Sequence, residues 1–126
     1  MKTFKYFKFE DFTCKCGCKE NRQHEDFIDK CDNLRDACGF PLVPSSGYRC
    51  PKYNKEVSTT GEFGPHTTGR SVDFLVAREK ALVVVREAIK LGFTGIGVKQ
   101  KGEGRFIHLD DLPNGPGCPR PTMWSY

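Results

Sequence analysis

The chain has 126 residues, a net charge of +4, and 37% hydrophobic and 29% charged residues. That length suits a single domain with one hydrophobic core, and the composition excludes a disordered or membrane-spanning chain. The charge favours anionic polymers, cell-wall polymers included, but no basic run or nucleic-acid motif accompanies it, so no nucleic-acid partner is expected.

Met1 to Phe9 alternates aromatic and basic residues. It has neither an apolar core nor a small-residue cleavage site, so no secretory signal is expected, and no later stretch is long enough to span a membrane. The expectation is a monomer synthesised in the cytosol without membrane insertion. Seven cysteines follow, with Cys14, Cys16 and Cys18 crowded together and Cys31, Cys38, Cys50 and Cys118 spread out. Alternate cysteines are poorly placed to pair with one another, which argues against a disulfide ladder. Spare thiols are preferred over a small metal site built from Cys14, Cys16, Cys18 and one more ligand, because the spacing lacks paired Cys-x-x-Cys knuckles.

The first helix is expected from about Gln23 to Cys38, with Asn21 as N-cap and Gly39 as its stop. Leu42-Val43 opens an extended segment, Cys50-Pro51 turns the chain, Lys52 to Val57 reads as a helical turn and Ser58 to Gly64 as a loop. Ser71 to Val76 reads as a strand, and Arg78 to Leu91 as a helix with Ala81, Leu82, Val84, Val85, Ala88 and Ile89 on its apolar face. Phe93 to Val98 and Arg105 to Leu109 form a hairpin across the polar turn Lys99 to Gly104, and Pro113 to Pro121 has too much proline and glycine for regular structure. The order implies one α+β domain over the whole chain, with a small, mostly antiparallel sheet and flanking helices.

Within this frame, His66 and Asp73 stand seven positions apart, on either side of a Gly-Pro-His turn and the start of a strand. Alternation places His108 on one face of the last hairpin strand, together with Phe106 and Asp110. If the two strands are neighbours, two imidazoles and a carboxylate meet, leaving a fourth position open as in a catalytic zinc site. His24, at a helix end with no ligand pattern beside it, reads as a solvated side chain.

These motifs resemble those of the zinc D-Ala-D-Ala carboxypeptidases and related phage peptidoglycan peptidases, which share a fold with the Hedgehog signalling domain. The resemblance rests on Phe12-Thr13-Cys14-Lys15-Cys16-Gly17-Cys18, Ser46-Gly47-Tyr48-Arg49-Cys50-Pro51-Lys52-Tyr53-Asn54 and His66-Thr67-Thr68-Gly69-Arg70-Ser71-Val72-Asp73. It continues in Gly95-Ile96-Gly97, Phe106-Ile107-His108-Leu109-Asp110 and Trp124-Ser125-Tyr126. It implies His66, Asp73 and His108 as ligands of one catalytic Zn2+, and Tyr48 and Arg49 as substrate-binding residues. The Arg49 guanidinium would anchor a carboxylate or polarise a carbonyl of a peptidoglycan stem peptide.

The implied chemistry is metal-assisted amide hydrolysis with a carboxylate as proton carrier. The best-known relatives place that acid three residues before the last histidine, where this chain has Arg105, which cannot be a base. Asp110, on the His108 face, is the preferred substitute, either as base or as a partner orienting a ligand; Glu103, in the hairpin turn, is the other. Without a leader, such an enzyme would reach the wall on lysis or with a phage. Two other readings stand beside it: a non-catalytic zinc module that binds wall fragments or a protein, and a Cys-rich interaction domain whose thiols hold the metal.

Overall fold

The aromatic–basic start of the chain owes its pattern to a partition between core and surface. The computed structural model describes residues 2–126, so Met1 of that stretch lies outside them. Phe7 and Phe12 are buried in the main core, with Phe4 and Phe9 packed against it, and the Phe7 ring stacks on Phe74 at 5.7 Å. Lys2 and Lys5 instead reach Asp29 and Asp36 on the first helix. Asp32 of that helix accepts the backbone N–H groups of Lys5 and Tyr6, each at 2.9 Å, fastening the segment along its side.

That helix, α1 (Glu25–Cys38), begins two residues later than expected, with His24 as N-cap. Asn21 has other partners: its amide donates to the Phe9 carbonyl at 2.7 Å and its oxygen accepts the Gln23 N–H. A good capping side chain has been diverted to hold the preceding loop. The chain continues through β1 (Val43–Ser46), α2 (Pro51–Val57), β2 (Ser71–Leu75), α3 (Arg78–Lys90), β3 (Gly95–Lys99), β4 (Phe106–Asp110) and β5 (Thr122–Ser125). Two short 3-10 turns, Gly61–Phe63 and Pro65–Thr68, lie between α2 and β2, the first of them inside the stretch expected to be a loop. On α3, Ala81, Val84 and Ala88 are buried as the periodicity implies. Leu82 and Ile89 are 72% and 61% exposed and stand outside the apolar face assigned to them.

The five strands lie in the order β1-β2-β4-β3-β5, antiparallel throughout except for the β3–β5 pair. The chain is therefore α+β with a mostly antiparallel sheet, as its element order implied. Strand β5 goes beyond that reading: it follows the irregular proline- and glycine-rich stretch and pairs with a strand nearly thirty residues upstream. No helix among the described residues is long and apolar enough to cross a membrane.

Strand alternation gives the sheet two different faces. Val72 and Phe74 of β2 and Ile107 and Leu109 of β4 join Phe27, Ile28, Leu34, Ala81 and Val84 in one core beneath the helices. The intervening residues, Asp73 on β2 and Phe106 and His108 on β4, face a cleft on the opposite side. Burying the apolar set thus fixes which way the polar set points, since a one-residue slip would exchange the two.

Candidate metal centre and cleft

Asp73 and His108 are direct cross-strand partners in the β2–β4 register. The 3-10 turn immediately before β2 supplies His66, and its position is fixed through the backbone: the His66 carbonyl accepts the Arg49 N–H at 3.0 Å. The three side chains are buried, at 5%, 5% and 1% exposure for His66, Asp73 and His108. Their facing atoms form a small triangle. His66 Nε2 lies 3.3 Å from Asp73 Oδ1, His108 Nδ1 lies 3.0 Å from the same oxygen, and the two nitrogens are 3.3 Å apart.

The outer nitrogens decide what those atoms offer. His66 Nδ1 lies 2.8 Å from the Gly47 carbonyl, which can only accept, so Nδ1 carries the proton and Nε2 presents a lone pair. His108 Nε2 lies 2.8 Å from Asp110 Oδ2, and in the same way leaves Nδ1 as the acceptor. Burial pushes the His66 imidazole below its ordinary pKa, favouring the neutral form. Burial alone would raise the Asp73 carboxyl, but a second proton on the facing imidazoles, which Asp110 and Asp73 favour at His108, outweighs it and holds the carboxyl well below the usual carboxylate range; metal binding would displace that proton. Three lone-pair atoms therefore converge. Ligands about 2.0–2.1 Å from a tetrahedral zinc are separated by roughly 3.3 Å, which the triangle matches. The donor set fits zinc.

Arg49, just before α2, lies beside this triangle. Its Nε donates to Ser46 Oγ at 3.1 Å and its Nη1 to Asn54 Oδ1 at 3.1 Å, while Nη2 lies 3.6 Å from Asp73 Oδ2. Its guanidinium is thus held by three groups at the wall of the cleft. The cleft, of about 760 Å³, runs between the α2 side (Tyr53, Thr60) and the sheet side (Phe106, Trp124), with Arg49, His66, Asp73 and His108 along it. Asn54 is fully buried, and its amide bonds Thr60 and the Gly61 carbonyl, so one side chain joins Arg49 to the loop that rims the cleft. Its role was not read from the sequence, although it ends the Ser-Gly-Tyr-Arg-Cys-Pro-Lys-Tyr-Asn motif.

Tyr48, Glu103 and Asp110 are not among the residues lining the cleft. Tyr48 is 2% exposed and packs with Cys14 and Cys50 in a small cluster beneath the segment that carries Arg49. Glu103 is exposed in the turn between β3 and β4 and does not line the cleft. Asp110 is fully buried behind His108, where both of its oxygens also accept from Arg120 at 2.8 Å. Both oxygens are thus engaged, and the carboxylate lies on the outer nitrogen of His108, on the other side of that ring from Nδ1. Burial would raise the Asp110 carboxyl, but His108 and Arg120 hold it at about 2.

Room for this arrangement comes from β3. A Cβ on Gly95, the partner of Asp110 in the sheet, would stand 2.3 Å from Asp110 Oδ1. Strand β5 completes the wall: the Trp124 ring centroid is 5.1 Å from that of His108, and the Arg120 guanidinium lies 5.2 Å over the indole. Arg120 went unnoticed because it stands in the proline-rich stretch, with no periodic neighbours to mark it.

The seven cysteines are free of disulfides. Cys14, Cys16, Cys18 and Cys50 nevertheless converge, which departs from the preferred reading of the first three as spare thiols. A family model described as Peptidase M15 matches residues 4–110, a span that contains His66, Asp73 and His108 and ends at Asp110. No curated protein sequence matches the chain.

Proposed function

Because the chain belongs to the peptidase M15 family of zinc-dependent peptidases, we propose that it hydrolyses amide bonds in peptidoglycan stem peptides, with His66, Asp73 and His108 holding the zinc. The observation that carries this reading is the triangle of lone-pair atoms at 3.0–3.3 Å beside an arginine-lined cleft. The zinc would supply Lewis acidity toward water and the scissile carbonyl. The chain's own residues do the rest. His66 and His108 are held in the tautomers that expose Nε2 and Nδ1 by the Gly47 carbonyl and by Asp110.

Arg49 offers its guanidinium to the carbonyl or terminal carboxylate of the stem peptide, pre-oriented by Ser46 and Asn54 so that little rotamer freedom is lost on binding. Phe106 and Trp124 exclude water from one side and give the peptide an apolar wall. Zinc content and muropeptide release from purified walls, measured for the wild type and His66→Ala, test the reading. Product from the zinc-loaded wild type and none from His66→Ala supports it. Free D-Ala among the products identifies the terminal bond; shortened stem peptides without it identify an internal one. Arg49→Ala should keep zinc at this site and lose about 10–100-fold in kcat/KM, the worth of a charged hydrogen-bonded anchor.

One observation favours a second reading. Among the described residues lining the cleft, Asp73 is the sole carboxylate, and it belongs to the ligand set. A zinc module that binds wall peptides without cleaving them has the same ligands and no need of a base. Stoichiometric zinc with peptide binding but no product from any wall would establish that reading and remove the hydrolytic one.

A further inference from the structure

We propose that Cys14, Cys16, Cys18 and Cys50 form a second metal site, a structural zinc centre separate from His66, Asp73 and His108. The four sulfurs all lie within 4.8 Å of one another, with Cys14–Cys16 at 3.6 Å and Cys16–Cys50 at 3.7 Å. Four thiolates at about 2.3 Å from a common tetrahedral zinc are roughly 3.8 Å apart, whereas bonded sulfurs are about 2.05 Å apart. The spacing is that of ligands around one ion. Four sulfurs with no oxygen or imidazole among them also define the chemistry: soft, tetrahedral and closed, with no position left for water.

The surroundings fit a thiolate cage. The Cys50 N–H donates to Cys14 Sγ at 3.3 Å and the Glu20 N–H to Cys18 Sγ at 3.4 Å, the kind of backbone contact that steadies sulfur ligands. Lys52 and Glu56 both line the hollow formed with Cys16, Cys18 and Cys50, so one side-chain charge of each sign stands beside the cluster. The loop itself is folded tightly, with Gly17 at φ +95° and Lys19 at φ +64°. A lysine in the left-handed region is uncommon and costs strain unless surrounding contacts hold it. Binding all four sulfurs would supply that constraint.

Three of the ligands come from the N-terminal segment and the fourth is the N-cap of α2, next in sequence to Arg49. The ion would tie the peptide unit carrying Arg49 to the segment 14–18, reinforcing the Tyr48 N–H to Phe12 carbonyl bond at 2.9 Å. Its role is positional: it holds one wall of the cleft and takes no part in the reaction.

Metal analysis of the full chain purified with zinc and reductant tests the site independently of any activity. Two zinc ions per wild-type chain are expected, one in Cys16→Ser/Cys18→Ser, one in His66→Ala and none in the combined variant. Titration of the wild type with an organomercurial needs no variant to fold; it should release one zinc as the four cluster thiols react. Cobalt loading should give an intense near-ultraviolet sulfur-to-metal band in His66→Ala that the double serine variant lacks. A single zinc in the wild type that survives Cys16→Ser/Cys18→Ser would overturn the proposal, as would iron in place of zinc or a disulfide within the cluster. Failure of the hydrolytic reading would show instead as two zinc ions with no product.

Discussion

Asp110 has the environment of a positioning group, and its substitution separates that role from catalysis. With His108 Nε2 on one side and Arg120 on the other, Asp110→Asn should weaken zinc binding at the histidine site by about 10–100-fold in chelator competition, as loss of a ligand's carboxylate partner commonly does. A base would behave otherwise: zinc affinity would hold while turnover vanished at saturating metal. Cys38 gives a second residue-scale prediction. Burial, with a smaller contribution from Glu87, pushes its thiol up to about 11. Neutral thiol is therefore the dominant form at pH 8, and the reactive thiolate grows with pH until about 11. Alkylation of Cys38, followed by peptide mass spectrometry in zinc-saturated protein, should accelerate nearly tenfold per pH unit from 8 to 10. A rate flat above pH 9 would contradict this. The sequence revealed which side of β4 Asp110 occupies, because alternation is local. It could not reveal Arg120 as its partner, because that contact depends on how an aperiodic stretch folds back.

Strand β3 makes the argument for elements. Its pairing partners on either side are ordinary, but Gly95 is there to leave space for the Asp110 carboxylate. Gly95→Ala should lower the thermal midpoint and cost about 1–3 kcal/mol, the usual range for overpacking a full interior. It should also weaken zinc binding in the same direction as Asp110→Asn. An unchanged chelator midpoint would show that the carboxylate can move without consequence for His108. Elements with strong periodicity, such as β2 and α3, were legible from sequence, whereas the start of α1 was misplaced. Asn21 has the right chemistry for a cap, but the Phe9 carbonyl and the Gln23 N–H claim it first. Strand β5 was missed because it is four residues long and follows prolines, and its parallel pairing leaves no hairpin signal. Cys50 was missed as the fourth thiol for a related reason: it stands far along the chain from Cys18, and Pro51 made it look like a turn residue only.

At the scale of the molecule, the strand order places β4 in the centre of the sheet, between β2 and β3, with β1 and β5 at the edges. Backbone amides in such a strand exchange with solvent only through the largest openings, while edges and loops open at far lower cost. The His108 and Ile107 amides should therefore be among the slowest to take up deuterium, and those of β1, β5 and the 58–64 loop among the fastest. Early labelling at Ile107 to Leu109 would refute that order. The consequence is a division of mobility within one cleft. Of the groups proposed to grip the metal, His108 belongs to the strand that opens last, whereas the walls that must admit a bulky peptide belong to the part that opens first.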